Sequence, residues 1–138
     1  MSARAVTHET RANTIARAVT STLYKQAAGR VCAVVTDAGG QFTGLTARTA
    51  RAKVRSVLNE DPIRHVVFYH ATAAARNWKG PADAALQRAA RRAVRSIGPL
   101  LPDMAYLSAA RLLVELAGSH PEALSVEVAE HVKRRVGR

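Results

Sequence analysis

The apolar positions near the start of the chain recur with a spacing of four residues. They are Ile15, Val19, Leu23 and Ala27. Because an α-helix completes a turn every 3.6 residues, side chains at this spacing lie on one helical face. The pattern predicts a helix over about residues 7–28, with Gly29 as its expected end.

The next segment has the composition of β-structure. Residues 31–36 are rich in β-branched side chains, and residues 37–40 supply the aspartate and glycines of a turn. Residues 41–45 then return as a second strand, so a β-hairpin is predicted over 31–45. Residues 63–71, with their valines and aromatic side chains, are predicted to form a third strand.

Helical patterns account for most of the remaining chain. Thr46 is the predicted N-cap of a helix over 47–59. A second helix is predicted over 81–97, because proline is favoured at the first helical position and Gly98 and a proline follow its end.

The last 38 residues are predicted to form two helices. The first covers residues 104–117, and its apolar side chains point nearly all round, which is typical of a central buried helix. Ser119 and Glu122 have the spacing of a capping box for the final helix.

These elements predict a helix-rich α+β fold in a single domain covering residues 1–138. A small three-stranded sheet, made of hairpin 31–45 and strand 63–71, is expected to pack with helices. Residues 101–138 are expected to form a C-terminal helical hairpin. The net charge of +11 changes at the start of this hairpin. Residues 1–100 carry all of it, and residues 101–138 are neutral.

Arginine occurs in two helical stripes within the basic part. The helix over 47–59 carries one stripe, and the helix over 81–97 carries a second, stronger one. At 100° per residue, each set falls mainly on one side of its helix. The basic residues concerned are Arg48, Arg51, Lys53, Arg55, Arg88, Arg91, Arg92 and Arg95.

This pattern predicts a non-enzymatic protein that binds nucleic acid, DNA rather than RNA. The planar guanidinium group donates two parallel hydrogen bonds to a phosphate, and neutralised phosphates release counterions. Base-reading residues are scarce, so contacts with the phosphate backbone are expected to dominate. Tyr69 and Trp78 are candidates for stacking on exposed bases.

Two alternatives explain the basic stripes without nucleic acid. They are solvated faces that pair with acids of the C-terminal part, or they dock an acidic protein partner in an inhibitor or adaptor. The acids available for pairing are Glu115, Glu122, Glu127 and Glu130.

A third alternative is a small enzyme with a site near Asp37, His65 and Tyr69. It requires the three side chains to meet in one cleft, within hydrogen-bond or one-water reach. His65 and Tyr69 would share one face of the predicted strand.

Other chemistry has little support in the sequence. A single cysteine, Cys32, allows no disulfide within the chain and is typical of a reducing compartment, so a cytoplasmic location is expected. Metal-binding motifs and phosphate-binding glycine loops are lacking, and no metal or cofactor is expected. A membrane span is not expected either. Association into a homodimer is left open.

Overall fold

A single long helix organises the fold. In the computed structural model, which describes residues 8–78 and 82–137, helix α1 covers His8–Asp37. Its 30 residues extend over about 45 Å at a rise of 1.5 Å per residue. The predicted apolar stripe is confirmed as buried, and it continues beyond Ala27 through Val31 and Val35.

The predicted hairpin over 31–45 is therefore wrong. Residues 31–36 are the last turns of α1, and Gly29 lies inside the helix rather than at its end. The helical preference of valine is weaker than that of alanine by less than about 0.7 kcal/mol. Full burial of a valine side chain gains roughly 1.5–3 kcal/mol, so packing outweighs the local preference.

The predicted strand over 63–71 is also helical. It belongs to α3, which covers Asp61–Ala75 and follows α2 at Gly44–Leu58. Ile63, Val67 and Ala71 are buried at a spacing of four, the helical period and not the alternation of a strand. Within the described residues the chain contains helices and no strand, which overturns the α+β class.

The remaining helices are α4 at Ala82–Ile97, α5 at Leu100–Ser119 and α6 at Val126–Val136. The helices predicted over 47–59, 81–97 and 104–117 correspond to α2, α4 and α5, although α2 and α5 begin earlier. Residue 81, the predicted start of the second of these helices, lies outside the described residues. Gly98 has a φ of 73°, which favours glycine at the turn between α4 and α5.

Two residues predicted to cap helices do not do so. Ser119 is the last residue of α5, and α6 is instead capped by Ser125, whose Oγ accepts a hydrogen bond from the backbone N–H of Val128 at 3.2 Å. Thr46 lies inside α2 and is buried. Its hydroxyl donates to the carbonyl of Ala123 at 2.8 Å, which ties α2 to the segment before α6.

The sequence pattern predicts α5 as the central buried helix, and this prediction is wrong. The central helix is α1. Each of the five other helices packs against α1, while α5 also contacts α2 and α6. Leu100 and Met104 on α5 stay exposed. Alanines occupy many of the buried positions, and their small side chains allow the helices to approach closely.

Replacing Gly29 with alanine tests the continuity of α1. Gly29 is exposed, and an added Cβ there would meet nothing within 4 Å. Alanine is favoured over glycine inside a helix, so G29A should raise the free energy of unfolding by about 0.5–1 kcal/mol. Urea denaturation measures this change. A loss of stability would indicate that the helix ends at Gly29.

Truncating Leu23 tests the central role of the α1 stripe. The side chain is fully buried, so L23A should lower the free energy of unfolding by about 2–5 kcal/mol through lost burial and a residual cavity. The control S21A changes an exposed position on the same helix and should alter it by less than about 0.5 kcal/mol. Equal effects in urea denaturation would contradict the role assigned to α1.

Candidate nucleic-acid interface

The first arginine stripe faces outward on α2. Arg48, Arg51 and Arg55 are exposed, and Lys53 is half-buried. The opposite side of α2 is buried in the core. Docking of the apolar side therefore presents the arginines to solvent.

Aromatic side chains hold two of these arginines. The guanidinium of Arg51 lies 5.5 Å from the ring centroid of Phe42, and that of Arg55 lies 4.7 Å from the ring of Tyr24 on α1. Cation–π contacts of this kind contribute about 0.5–1 kcal/mol at exposed sites. They also restrict the side chains while leaving the N–H groups able to donate.

The second stripe lies on α4. Its arginines at 88, 91, 92 and 95 are exposed. Ala85, Ala89 and Ala93 are buried on the other side of the helix. The short alanine side chains bring the α4 backbone close to its neighbours, and the long basic side chains stay outside.

Two of the α4 arginines line a groove between α1 and α4, named here the α1–α4 groove. Arg91 and Arg95 form part of one wall, and Lys25 with Gln26 forms part of the other. The volume of the groove is about 620 Å³. Its floor includes Ala90 and Val94, and its lining contains three cations and no acid. The electrostatics of this groove suit an anion.

The middle of α1 joins the two stripes. Both α2 and α4 pack against α1. Arg55 of the first stripe contacts Tyr24, and the next residue, Lys25, lines the α1–α4 groove with Arg91 and Arg95. Successive helical side chains diverge by about 100°, so Tyr24 and Lys25 reach to the two sides of α1. The stripes thus flank one segment of the central helix.

The sequence pattern did not identify Tyr24 or Lys25 of α1 as part of the site. Arg17, Ser21 and Lys25 are exposed on α1 at a spacing of four. This polar row opposite the apolar stripe was the available signal, but two cations on a long helix are a weak one. Only the packing of α2 and α4 beside them makes these residues part of a larger basic surface.

A second groove lies on the other side of α1, between α1 and α3, and is named here the α1–α3 groove. Its volume is about 740 Å³. The lining residues are mostly polar. They come from α1, from α3 and from Asn59, which follows the last residue of α2. They are Asn13, Ala16, Arg17, Thr20, Asn59, Asp61, Arg64, His65, Val67 and Phe68.

The alternative in which the stripes pair with C-terminal acids has no ion pair to support it among the described residues. In the part of the chain that the structure describes, the ion pair joins Arg30 to Asp103, at positions outside both stripes. The ring of Tyr106 lies 4.1 Å from the Arg30 guanidinium and supports the same contact. Within these residues, the acids at 115, 122, 127 and 130 make no ion pair with either stripe.

The two stacking candidates have different surroundings. Tyr69 is 71% exposed on α3, and its ring meets His70 edge-on with the centroids 5.3 Å apart. Trp78 is half-buried against the core, and its ring contacts the guanidinium of Arg11 at 5.5 Å. Tyr69 is thus open to a partner, while Trp78 contributes to packing.

The enzyme site expected near Asp37, His65 and Tyr69 is not formed. Asp37 is the last residue of α1, whereas His65 lies in the α1–α3 groove beside Thr20 and the residues before it. About 25 Å of helix separates Asp37 from Thr20, which is beyond hydrogen-bond or one-water reach. His65 and Tyr69 do share a face, but it is a face of α3 and not of a strand. Among the described residues, no three His, Cys, Asp or Glu side chains are grouped to hold a metal ion.

Comparison with known proteins adds no assignment. No family model, curated protein or solved structure matches this chain. Among the helices described, none combines the length and the apolar character required to cross a membrane.

Proposed function

We propose that this protein binds DNA through the phosphate backbone, using a surface that we call the basic face. The observation that carries the proposal is the convergence of both arginine stripes on the middle of α1. The basic face consists of Lys25, Arg48, Arg51, Lys53, Arg55, Arg88, Arg91, Arg92 and Arg95.

The chemistry of the basic face suits phosphate. Each guanidinium presents a planar set of donors that matches two phosphate oxygens, and the interaction is charge-assisted. Phosphates along a DNA strand are closely spaced, so a row of cations can neutralise several at once and release their counterions. The amide side chains of Gln26 and Gln87 in the α1–α4 groove add neutral donors.

Charge repulsion within the protein supports a polyanionic partner. Arg48, Arg91, Arg92 and Arg95 have no acidic partner among the described residues. Like charges four residues apart on a helix destabilise it by a few tenths of a kcal/mol for each pair. A bound phosphate backbone would relieve this repulsion, whereas solvent only screens it.

The rest of the molecule has a supporting role in this proposal. Helices α5 and α6 pack against each other and carry little net charge, so they serve as scaffold. A homodimer through this scaffold and a cytoplasmic location belong to the same proposal. The location rests on Cys32, the single cysteine of the chain, which is a free thiol.

A salt titration tests whether DNA is the partner. A fluorescently labelled random-sequence duplex should bind with sub-micromolar Kd at low salt. The logarithm of affinity should fall linearly with the logarithm of salt concentration, with a slope of about −0.9 for each neutralised phosphate. Fluorescence anisotropy measures both quantities. An absence of binding at low salt to this duplex and to single-stranded DNA would rule out DNA and favour an acidic protein partner.

Charge reversal tests whether the basic face is the binding surface. The double variant R91E/R95E should weaken binding at least tenfold, about 1.4 kcal/mol, because two phosphate donors become repulsive. The control R134E/R135E makes the same change in net charge at exposed positions on α6. It should weaken binding far less. Equal losses in both variants would show that total charge, and not this face, determines affinity.

A further inference from the structure

We propose that the α1–α3 groove binds an unpaired nucleobase, so that the preferred target is single-stranded DNA. This inference rests on the proposed function, because it assumes that the basic face holds the phosphates of the same strand. It assigns a distinct task to each side of α1. The α1–α4 groove contacts phosphate, and the α1–α3 groove contacts base.

Among the described residues, the α1–α3 groove contains a carboxylate acceptor, which the lining of the α1–α4 groove lacks. Asp61 supplies a carboxylate, and Asn13 supplies an amide. The Nδ2 group of Asn59 donates to the carbonyl of Arg55 at 2.9 Å, which leaves its Oδ1 to accept. A nucleobase edge carries both donors and acceptors, whereas a phosphate carries only acceptors. This mixture therefore suits a base better than a phosphate.

The groove also has an apolar wall on which a base can stack. Phe68 lines it and is 39% exposed, so part of its ring remains open to solvent. Val67 and Ala16 form neighbouring apolar surface. Stacking of a base on an aromatic side chain strengthens binding roughly tenfold or more and needs no particular sequence.

The position of the groove connects it to the basic face. Arg17 lines the α1–α3 groove, and Lys25 lines the α1–α4 groove. Both are exposed on α1, with Ser21 midway between them. A strand crossing α1 at this row would meet a cation on each side. Arg64, also in the α1–α3 groove, is placed to contact the phosphate next to a bound base.

The size and shape of the groove favour a single strand. Its volume of about 740 Å³ lies within the usual range for small-molecule sites, about 300–1,000 Å³. A base within a duplex is stacked and paired, so it cannot enter a groove between two helices unless it is flipped out. An unpaired strand offers its bases without that cost.

Three labelled probes of equal length distinguish base binding from backbone binding. They are a mixed-sequence single-stranded oligonucleotide, an abasic deoxyribose-phosphate oligomer, and the duplex of the first. In fluorescence anisotropy the single strand should bind about tenfold more tightly than the abasic oligomer, as expected from one stacked base. The duplex should bind less tightly than the single strand, because its bases are stacked and paired and cannot enter the groove.

Substitutions in the groove should remove this difference. The variants F68L and N13A are expected to lower affinity for the single strand toward that of the abasic oligomer and to leave abasic binding unchanged. The control V66A removes an exposed apolar side chain of α3 outside the groove and should keep the full difference. Asn13 is exposed, so N13A is informative even if F68L disturbs folding.

The outcomes separate the two proposals. Equal binding of the single strand and the abasic oligomer would overturn the base site and leave the proposed function intact. Loss of the difference in Y69L, with F68L and N13A unaffected, would place the base on the outer face of α3 and also overturn the groove assignment. If none of the three probes binds at low salt, both the proposed function and the base site are wrong.

Discussion

Burial of the apolar stripe of α1 is the interaction on which the rest of the structure depends. The stripe runs from Ala12 to Val35 and is almost fully excluded from solvent. All five other helices pack against α1, so each of them is positioned by contact with the same element. Apolar burial has no preferred direction of its own. The regular spacing of the stripe places its side chains on one face of α1, and this face determines where the other helices pack. A change in the course of α1 would move both basic helices at once.

Small side chains determine how closely the helices approach. Alanines at positions such as 89, 93, 109 and 110 are buried where helices meet. Interiors packed in this way resemble organic crystals and leave few voids. The two grooves are accordingly open surface features beside α1 and not internal cavities.

The arrangement of charge follows from this packing. Helices α2 and α4 each bury one side, so the arginines on their other side are exposed to solvent. Arg51 and Arg55 are held by aromatic rings, so under the proposed function they would lose less conformational entropy on binding a phosphate. The acids of the C-terminal part do not reach the stripes in the described residues. The result is a basic surface on which aromatic rings hold Arg51 and Arg55.

The helices of the second half were predictable because their signals are local. Proline and glycine mark the bounds of α4, and its arginine stripe is visible without any structure. Helices were mistaken for strands in segments 31–45 and 63–71, where β-branched residues suggested strands. Their valines and isoleucine do recur at the helical period of four, but that signal competed with a local propensity that favoured strands.

The net charge, the two arginine stripes and the apolar stripe of α1 could all be read from the sequence, since each depends only on residue identity and spacing. Tertiary structure decided that residues 31–36 continue α1, because burial outweighs a weak local preference. It also decided that Tyr24 and Lys25 link the stripes and that Asp37 lies far from His65. Such relations join residues distant in the chain, and only the packing of helices against one another brings them together or keeps them apart.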